Sequence, residues 1–190
     1  MAAPSRRMVI GTMFVVLLAI VGWGYYHSLV PAIHQDHDHP LENLAAGGFL
    51  RVEAVEGRRR NLVGRPGRVL ILHWFQPNSA TTASELPSLV DYSGSVADDP
   101  GIEVLLIATS GTRESVRDWA RGHRIPTRPL YVDRNGETAQ LIGVRRTPET
   151  LIYDPEGHLA HQARGPMDWT APTLRQAIEG FKPGDGEHQH

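Results

Sequence analysis

Cysteine is the residue that this sequence lacks, because none of its 190 positions holds one. Its absence excludes disulfide bonds, thiolate nucleophiles and thiolate metal ligands together. The sequence also has little net charge, with a formal value of −2 at pH 7. A nucleic-acid-binding protein needs a strong basic excess to displace counterions from phosphates, so we expect no nucleic-acid partner.

Long hydrophobic runs are also scarce, and residues 8–26 form the one run that is long enough to cross a bilayer. This run carries no charge and two arginines precede it, which predicts that the N-terminus stays inside. We expect residues 1–7 to be cytoplasmic and residues 8–30 to be a single-pass transmembrane anchor in the inner (cytoplasmic) membrane. The rest of the chain would then lie in the periplasm or another extracytoplasmic space. A cleaved signal peptide, ending near Val30-Pro31-Ala32, is the alternative.

A segment rich in histidine and aspartate, residues 31–48, follows the apolar run and is predicted to be a linker. Imidazole and carboxylate ligands suit copper and zinc, so the alternative function is metal handling through a weak copper or zinc site at His34, His37 and His39. The competing explanation is a solvated linker whose ligands nothing holds in place. We expect no other cofactor. Residues 183–190 are predicted to form a disordered tail.

Between the linker and the tail, residues 49–182 alternate strand and helix patterns. Arg68–Phe75 and Ile102–Thr109 are apolar without polar alternation, which is typical of central strands in a sheet covered on both faces. The other predicted elements are a hairpin of Phe49–Ala54 and Arg58–Val63, helices at Ser84–Val96 and Arg113–His123, a strand at Leu130–Val132, a helical turn at Glu137–Ile142, strands at Thr150–Tyr153 and His158–Ala163, and a helix at Ala171–Phe181. This order predicts an α/β domain, a mixed sheet flanked by helices.

Two separated motifs within this domain resemble one protein family. Residues 69–89, VLILHWFQPNSATTASELPSL, place an apolar strand and an aromatic pair ahead of Glu85-Leu86-Pro87. Residues 143–166, GVRRTPETLIYDPEGHLAHQARGP, place a loop with Pro148 ahead of a strand, a turn and a second strand. Both resemble TlpA-like, membrane-anchored thiol:disulfide interchange proteins of the cytochrome c maturation type. The resemblance implies a thioredoxin-like fold, thiol–disulfide oxidoreductase activity and a cis-proline at Pro148.

The resemblance breaks at the reactive positions, since it places Ser79 and Thr82 where the family has its two cysteines and Asn78 where it has tryptophan. Exchange needs a thiolate and a second, resolving thiol, and a hydroxyl replaces neither. We therefore expect a redox-inactive domain rather than an enzyme. It would bind an extracytoplasmic protein or peptide through the former active-site face, as an accessory or scaffold factor in respiratory or cytochrome c assembly.

The residues assigned to that face also have structural explanations. Ser79 and Thr82 are expected to cap the following helix, and Glu85 to lie in its first turn. The loop at Thr147 and Pro148 either has a purely structural role or pairs its backbone edge with an extended peptide. The candidate partner-binding residues are Asn78, Ser79, Thr82, Glu85, Thr147 and Pro148.

Two further features bear on the face. A serine nucleophile at Ser79 would need a neighbouring base, and His73 is a candidate only if the fold brings it close. Arg145 and Arg146 adjoin the predicted groove, which makes an acidic partner a further hypothesis.

Overall fold

A computed structural model describes residues 50–62 and 67–183, and the predicted anchor and His-rich linker lie outside them. Within these residues no helix combines the length and the apolar composition that crossing a bilayer requires. The strands are β1 (Arg51–Ala54), β2 (Arg59–Asn61), β3 (Val69–Phe75), β4 (Ile102–Ala108), β5 (Leu130–Val132), β6 (Glu149–Tyr153) and β7 (Leu159–Arg164). The helices are α1 (Ala80–Ser95), α2 (Arg113–Gly122), α3 (Glu137–Leu141) and α4 (Pro172–Gly180).

The described strands form one mixed sheet in the order β2-β1-β5-β4-β3-β6-β7. Its centre is parallel, because β3 pairs with β4 and β4 with β5 in the same direction. The outer pairs are antiparallel: β6 joins β3 and β7, while β1 joins β5 and β2. The fold is the predicted thioredoxin-like α/β fold.

The core has two layers because every residue of the central strand β3 is buried. Side chains alternate along a strand, so Ile71 and Phe75 pack on one face of the sheet and Leu72 and Trp74 on the other. Helices α1, α2 and α4 cover the first face, whereas α3 covers the second. The apolar run of β3 without polar alternation follows from this double burial.

Most predicted elements match the structure to within about a residue or two, and α1 is the exception. It begins at Ala80, four positions before the predicted Ser84. The reason is local, since the side chain of Ser79 accepts a hydrogen bond from the backbone of the first turn. The hairpin strands are also shorter than predicted, and Val63, the predicted end of the second strand, lies outside the described residues.

Candidate functional site

The connection between β3 and α1 holds the two positions predicted to replace cysteines. Ser79 is the N-cap of α1, and its Oγ accepts a hydrogen bond from the Thr82 backbone N–H at 3.0 Å. The Ser79 hydroxyl donates to Thr82 Oγ1 at 2.7 Å, and the Thr82 hydroxyl donates to the Gln76 carbonyl at 2.9 Å. Asn78 is exposed and has a left-handed backbone conformation, with φ of 66°. Both hydroxyls therefore hold the turn that starts the helix.

This geometry corrects the prediction that Ser79 and Thr82 both cap the helix. Ser79 alone does so, whereas Thr82 lies inside the first turn and its side chain is buried. It also argues against a serine nucleophile, because the Ser79 hydroxyl donates to Thr82 and not to a histidine.

Glu85 lies in the second turn of α1, not in the first turn as predicted, because the helix begins earlier. It points into the protein and is 4% exposed. Its Oε1 accepts from the backbone N–H of Met167 at 2.9 Å and from the indole N–H of Trp169 at 3.1 Å. Its Oε2 is buried and has no hydrogen-bond partner among the described residues. Glu85 thus ties α1 to the segment that precedes α4.

A buried histidine faces this unpartnered carboxylate oxygen. The Nε2 atom of His73 lies 3.9 Å from Glu85 Oε2, and its Nδ1 atom lies 2.9 Å from the Thr150 hydroxyl. The ring contacts Trp169 edge-on, with the centroids 6.3 Å apart. His73 and Glu85 therefore form a buried polar pair beneath the start of α1.

Burial moves the titration of both groups away from their ordinary values. Desolvation of the imidazolium lowers the pKa of His73 to about 3, so this ring is neutral at physiological pH. Desolvation of the carboxylate raises the pKa of Glu85, although the two hydrogen bonds from Met167 and Trp169 oppose that increase. Both shifts favour the uncharged form of the group.

The sequence indicated His73 only as a candidate base for Ser79. It did not predict the contacts of His73 with Thr150 and Trp169. One signal was present: His73 is the sole polar residue of the run VLILHWF. A polar side chain in a strand buried on both faces needs a partner inside the protein. The partner's identity depends on the sheet register, which pairs His73 with Thr150 of β6.

The loop before β6 forms the other half of the site. The Thr147–Pro148 peptide bond is cis, as predicted. Register places this loop beside the end of β3, because Trp74 pairs with Glu149, the first residue of β6. Since α1 starts a few residues after β3 ends, the sheet brings the loop and the start of α1 to the same edge. The prediction that these two segments share one face follows from this topology.

Glu149, the residue after Pro148, stabilises this loop. It is fully buried, and its carboxylate accepts hydrogen bonds from the Arg145 backbone N–H at 3.1 Å and from the side chains of Gln162 and Arg164. The Pro148 carbonyl accepts from the Gly165 backbone N–H at 2.8 Å. Strand β7 therefore holds the loop on its far side.

Metal binding at His34, His37 and His39 concerns residues outside the described part of the chain. Across residues 50–62 and 67–183, no three histidine, aspartate or glutamate side chains are grouped so that they could hold a metal ion.

Comparison with known proteins identifies a family and a fold. Residues 51–162, more than half of the chain, match the AhpC/TSA family. The chain is 23% identical over 129 residues to the thiol-disulfide oxidoreductase ResA of Geobacillus thermodenitrificans, covering 68% of this chain and 72% of ResA.

Solved structures of similar fold include StoA from Bacillus subtilis, with a TM-score of 0.56 and 17% identity over 67% of this chain and 93% of StoA. A secreted Mycobacterium tuberculosis disulfide oxidoreductase, homologous to E. coli DsbE, gives a TM-score of 0.59 and 16% identity over 76% of this chain and 99% of that one. At these identities the structures show a shared fold.

Proposed function

The chain belongs to the AhpC/TSA family, and from that premise we propose that it is a redox-inactive thioredoxin-like domain that binds an extended protein segment at the Pro148 loop. The family's relatives here are thiol–disulfide oxidoreductases, whereas this chain has no sulfur with which to exchange. The domain would still bind a protein segment but would not catalyse thiol–disulfide exchange.

The observation that carries the proposal is the free backbone of Thr147. Within the described residues, neither its N–H nor its carbonyl has a backbone partner, and the residue is only half-buried. Its neighbour Pro148, by contrast, has its carbonyl bound by Gly165. A half-buried, unpaired backbone edge beside a sheet supports strand addition, in which an extended peptide supplies the missing hydrogen bonds.

The charges around the loop favour an acidic segment. Arg145 and Arg146 are exposed immediately before Thr147. The carboxylate nearest to them in sequence, Glu149, is buried and already accepts three hydrogen bonds. Complementary charge across an interface accelerates association and selects among partners.

We further propose an accessory or scaffold role outside the cytoplasmic membrane, in respiratory or cytochrome c assembly. The TlpA-like motifs around Glu85 and Pro148 support this assignment, and so does the apolar run of residues 8–26, which would place the domain at the membrane surface.

Fluorescence anisotropy with synthetic peptides tests the binding proposal on the full chain. The probe is a labelled hexapeptide of alternating valine and glutamate, compared with the same peptide N-methylated at alternate backbone nitrogens. We expect the unmodified peptide to bind and the N-methylated peptide to lose at least about tenfold in affinity, because strand addition uses the backbone N–H groups. Equal affinity for both peptides would exclude strand addition.

The arginine contribution is measured with charge reversals. In Arg145→Glu/Arg146→Glu we expect affinity for the glutamate peptide to fall at least about tenfold, whereas Arg58→Glu/Arg124→Glu, at two exposed arginines away from the loop, should bind as the wild type does. If both double variants lose affinity equally, the effect comes from net charge and the loop is not the contact.

An insulin-reduction assay on the wild type should show no activity, and clear activity would overturn the redox-inactive assignment.

A further inference from the structure

A concave site lies at the opposite end of β3 from the candidate binding face. It is a cavity of about 510 Å³ between the end of α1, the start of β4 and the loop that leads into β5. Arg68, which lines it, immediately precedes β3, whereas Ser79 follows the end of that strand. Small-molecule sites in proteins commonly measure about 300–1,000 Å³. This cavity is large enough for a small ligand and is separate from the Pro148 loop.

The floor of the cavity is apolar. Alternate residues of β4 point toward it from the sheet face that α1 covers, and proline and valine side chains complete the lining. The apolar lining residues include Val90, Val96, Ile102, Val104, Leu106 and Pro129. Such a floor favours the aliphatic part of a ligand.

The two carboxylates of the lining are already engaged. Asp99 accepts from the Lys182 ammonium and from the Gly101 backbone N–H, which together lower its pKa. The two carboxylate oxygens of Glu103 each accept a hydrogen bond from a guanidinium nitrogen of Arg60, at 2.7 and 2.8 Å. Glu103 is therefore paired with Arg60, whereas Asp99 shares the charge of Lys182 with Glu179.

The two arginines of the lining are different, because among the described residues neither Arg68 nor Arg128 has an ion pair or a side-chain hydrogen bond. The fixed charge left over at this cavity is thus positive. A guanidinium group binds a carboxylate through paired, charge-assisted hydrogen bonds.

We infer that this cavity binds a small amphipathic carboxylate, whose aliphatic chain lies on the apolar floor and whose acid group contacts Arg68 and Arg128. An alkylammonium ion would meet two arginines that have no ion pair among the described residues. A neutral molecule of the same length would leave both arginines without an anion, and a small inorganic anion would leave the floor uncovered.

Isothermal titration of the full chain with sodium octanoate tests the inference, with a blank titration of the same medium subtracted. Octanamide and octylammonium serve as neutral and cationic probes of equal length. We expect octanoate to bind at least about tenfold more tightly than octanamide, since the arginines act on the charge. Octylammonium should not bind. Equal binding of octanoate and octanamide, or no binding of octanoate, would overturn the inference.

Variants locate the binding. Arg68→Gln/Arg128→Gln should remove the preference for octanoate over octanamide. Gly94 lines the cavity within α1, and a Cβ built on it meets no heavy atom within 4 Å, so Gly94→Phe should obstruct the cavity. Gly122 in α2 is equally open but lies outside the lining, so Gly122→Phe is the matched control. Loss of octanoate binding in Gly94→Phe alone supports the site, whereas unchanged binding there refutes it.

Discussion

At the scale of single residues, the candidate site depends on a histidine and a glutamate that are both buried. His73 and Glu85 are each 1% exposed in their side chains and lie 3.9 Å apart at their nearest polar atoms. Burying an ionisable group is costly unless the group is neutral or paired. His73 is neutral, so most of that desolvation cost does not arise for it. The hydrogen bonds that Glu85 accepts from the N–H groups of Met167 and Trp169 offset part of the cost of burying its carboxylate.

The low pKa of His73 predicts how stability depends on pH. Between pH 6.5 and about 3 the unfolded chain binds a proton at this imidazole and the folded protein does not. Stability therefore rises with pH across that window, is fully present above 6.5 and is lost as the pH falls. One proton corresponds to a slope of about 1.4 kcal/mol per pH unit, which His73→Gln should remove.

Urea unfolding at several pH values between 3 and 7.5 measures this slope, and His158→Gln, which replaces an exposed histidine, is the matched control. The wild type and both variants contain Glu85. Because burial raises the pKa of Glu85, this residue makes stability fall as the pH rises, opposite to the effect of His73. Its contribution is nearly the same in all three proteins and therefore largely cancels when their slopes are compared. Equal slopes for wild type and His73→Gln would show that His73 does not titrate as its burial requires.

Sequence reasoning at this scale located positions but not contacts. The spacing of Glu85-Leu86-Pro87 led to the prediction that Glu85 binds a partner, which stays a prediction. In the structure the residue is buried beside His73 and Trp169, which are 12 and 84 positions away in the chain. Such contacts are created by the sheet register and by the return of the chain before α4. Periodicity and local motifs carry no information about either.

At the scale of elements, the start of α1 differs most from its prediction. The first turn contains Thr81 and Thr82, and β-branched residues have low helix propensity. The sequence pattern therefore favoured a later start. The Ser79 hydroxyl outweighs that propensity, because it accepts from the Thr82 backbone N–H that the helix end leaves unpaired, and the Thr82 hydroxyl adds a hydrogen bond to the Gln76 carbonyl ahead of the helix. The strands β3 and β4 were easier to predict because their apolar runs have no competing interpretation.

Ser79→Ala should destabilise the domain by about 0.5–2 kcal/mol, because the Thr82 backbone N–H loses its acceptor. Ser84→Ala is the matched control on the same helix: its hydroxyl is exposed and donates only to the Thr81 carbonyl, so we expect a change within about 0.5 kcal/mol. Chemical denaturation of the three proteins supplies the values. Equal stability of the wild type and Ser79→Ala would contradict the capping role.

At the scale of the whole molecule, the sequence predicted a mixed sheet flanked by helices, but not the order of its strands. The fold prediction depends on two motifs with a fixed order in the chain. The cavity beside Arg68 and Arg128 could not be predicted in this way, because its lining combines α1, β4 and two loops that no single motif connects. Its charge balance also depends on the tertiary ion pairs that occupy Asp99 and Glu103.

Restoring the two sulfurs tests whether the domain still has the surroundings of a reactive dithiol. The Ser79 and Thr82 hydroxyls are 2.7 Å apart at the start of α1, so cysteines there would face each other, and a helix N-terminus stabilises a thiolate. Thr112 and Ser115 have the same spacing and capping position on α2, but Glu85 and the Pro148 loop are at α1. We expect Ser79→Cys/Thr82→Cys to reduce insulin at least about tenfold faster than Thr112→Cys/Ser115→Cys, because exchange also depends on the environment of the thiolate.

Thiol titration before and after oxidation would establish that both pairs form disulfides. If the two pairs reduce insulin equally, the α1 site provides nothing beyond a helix end. A faster α1 pair means that the surroundings of Ser79 and Thr82 still promote thiol–disulfide exchange.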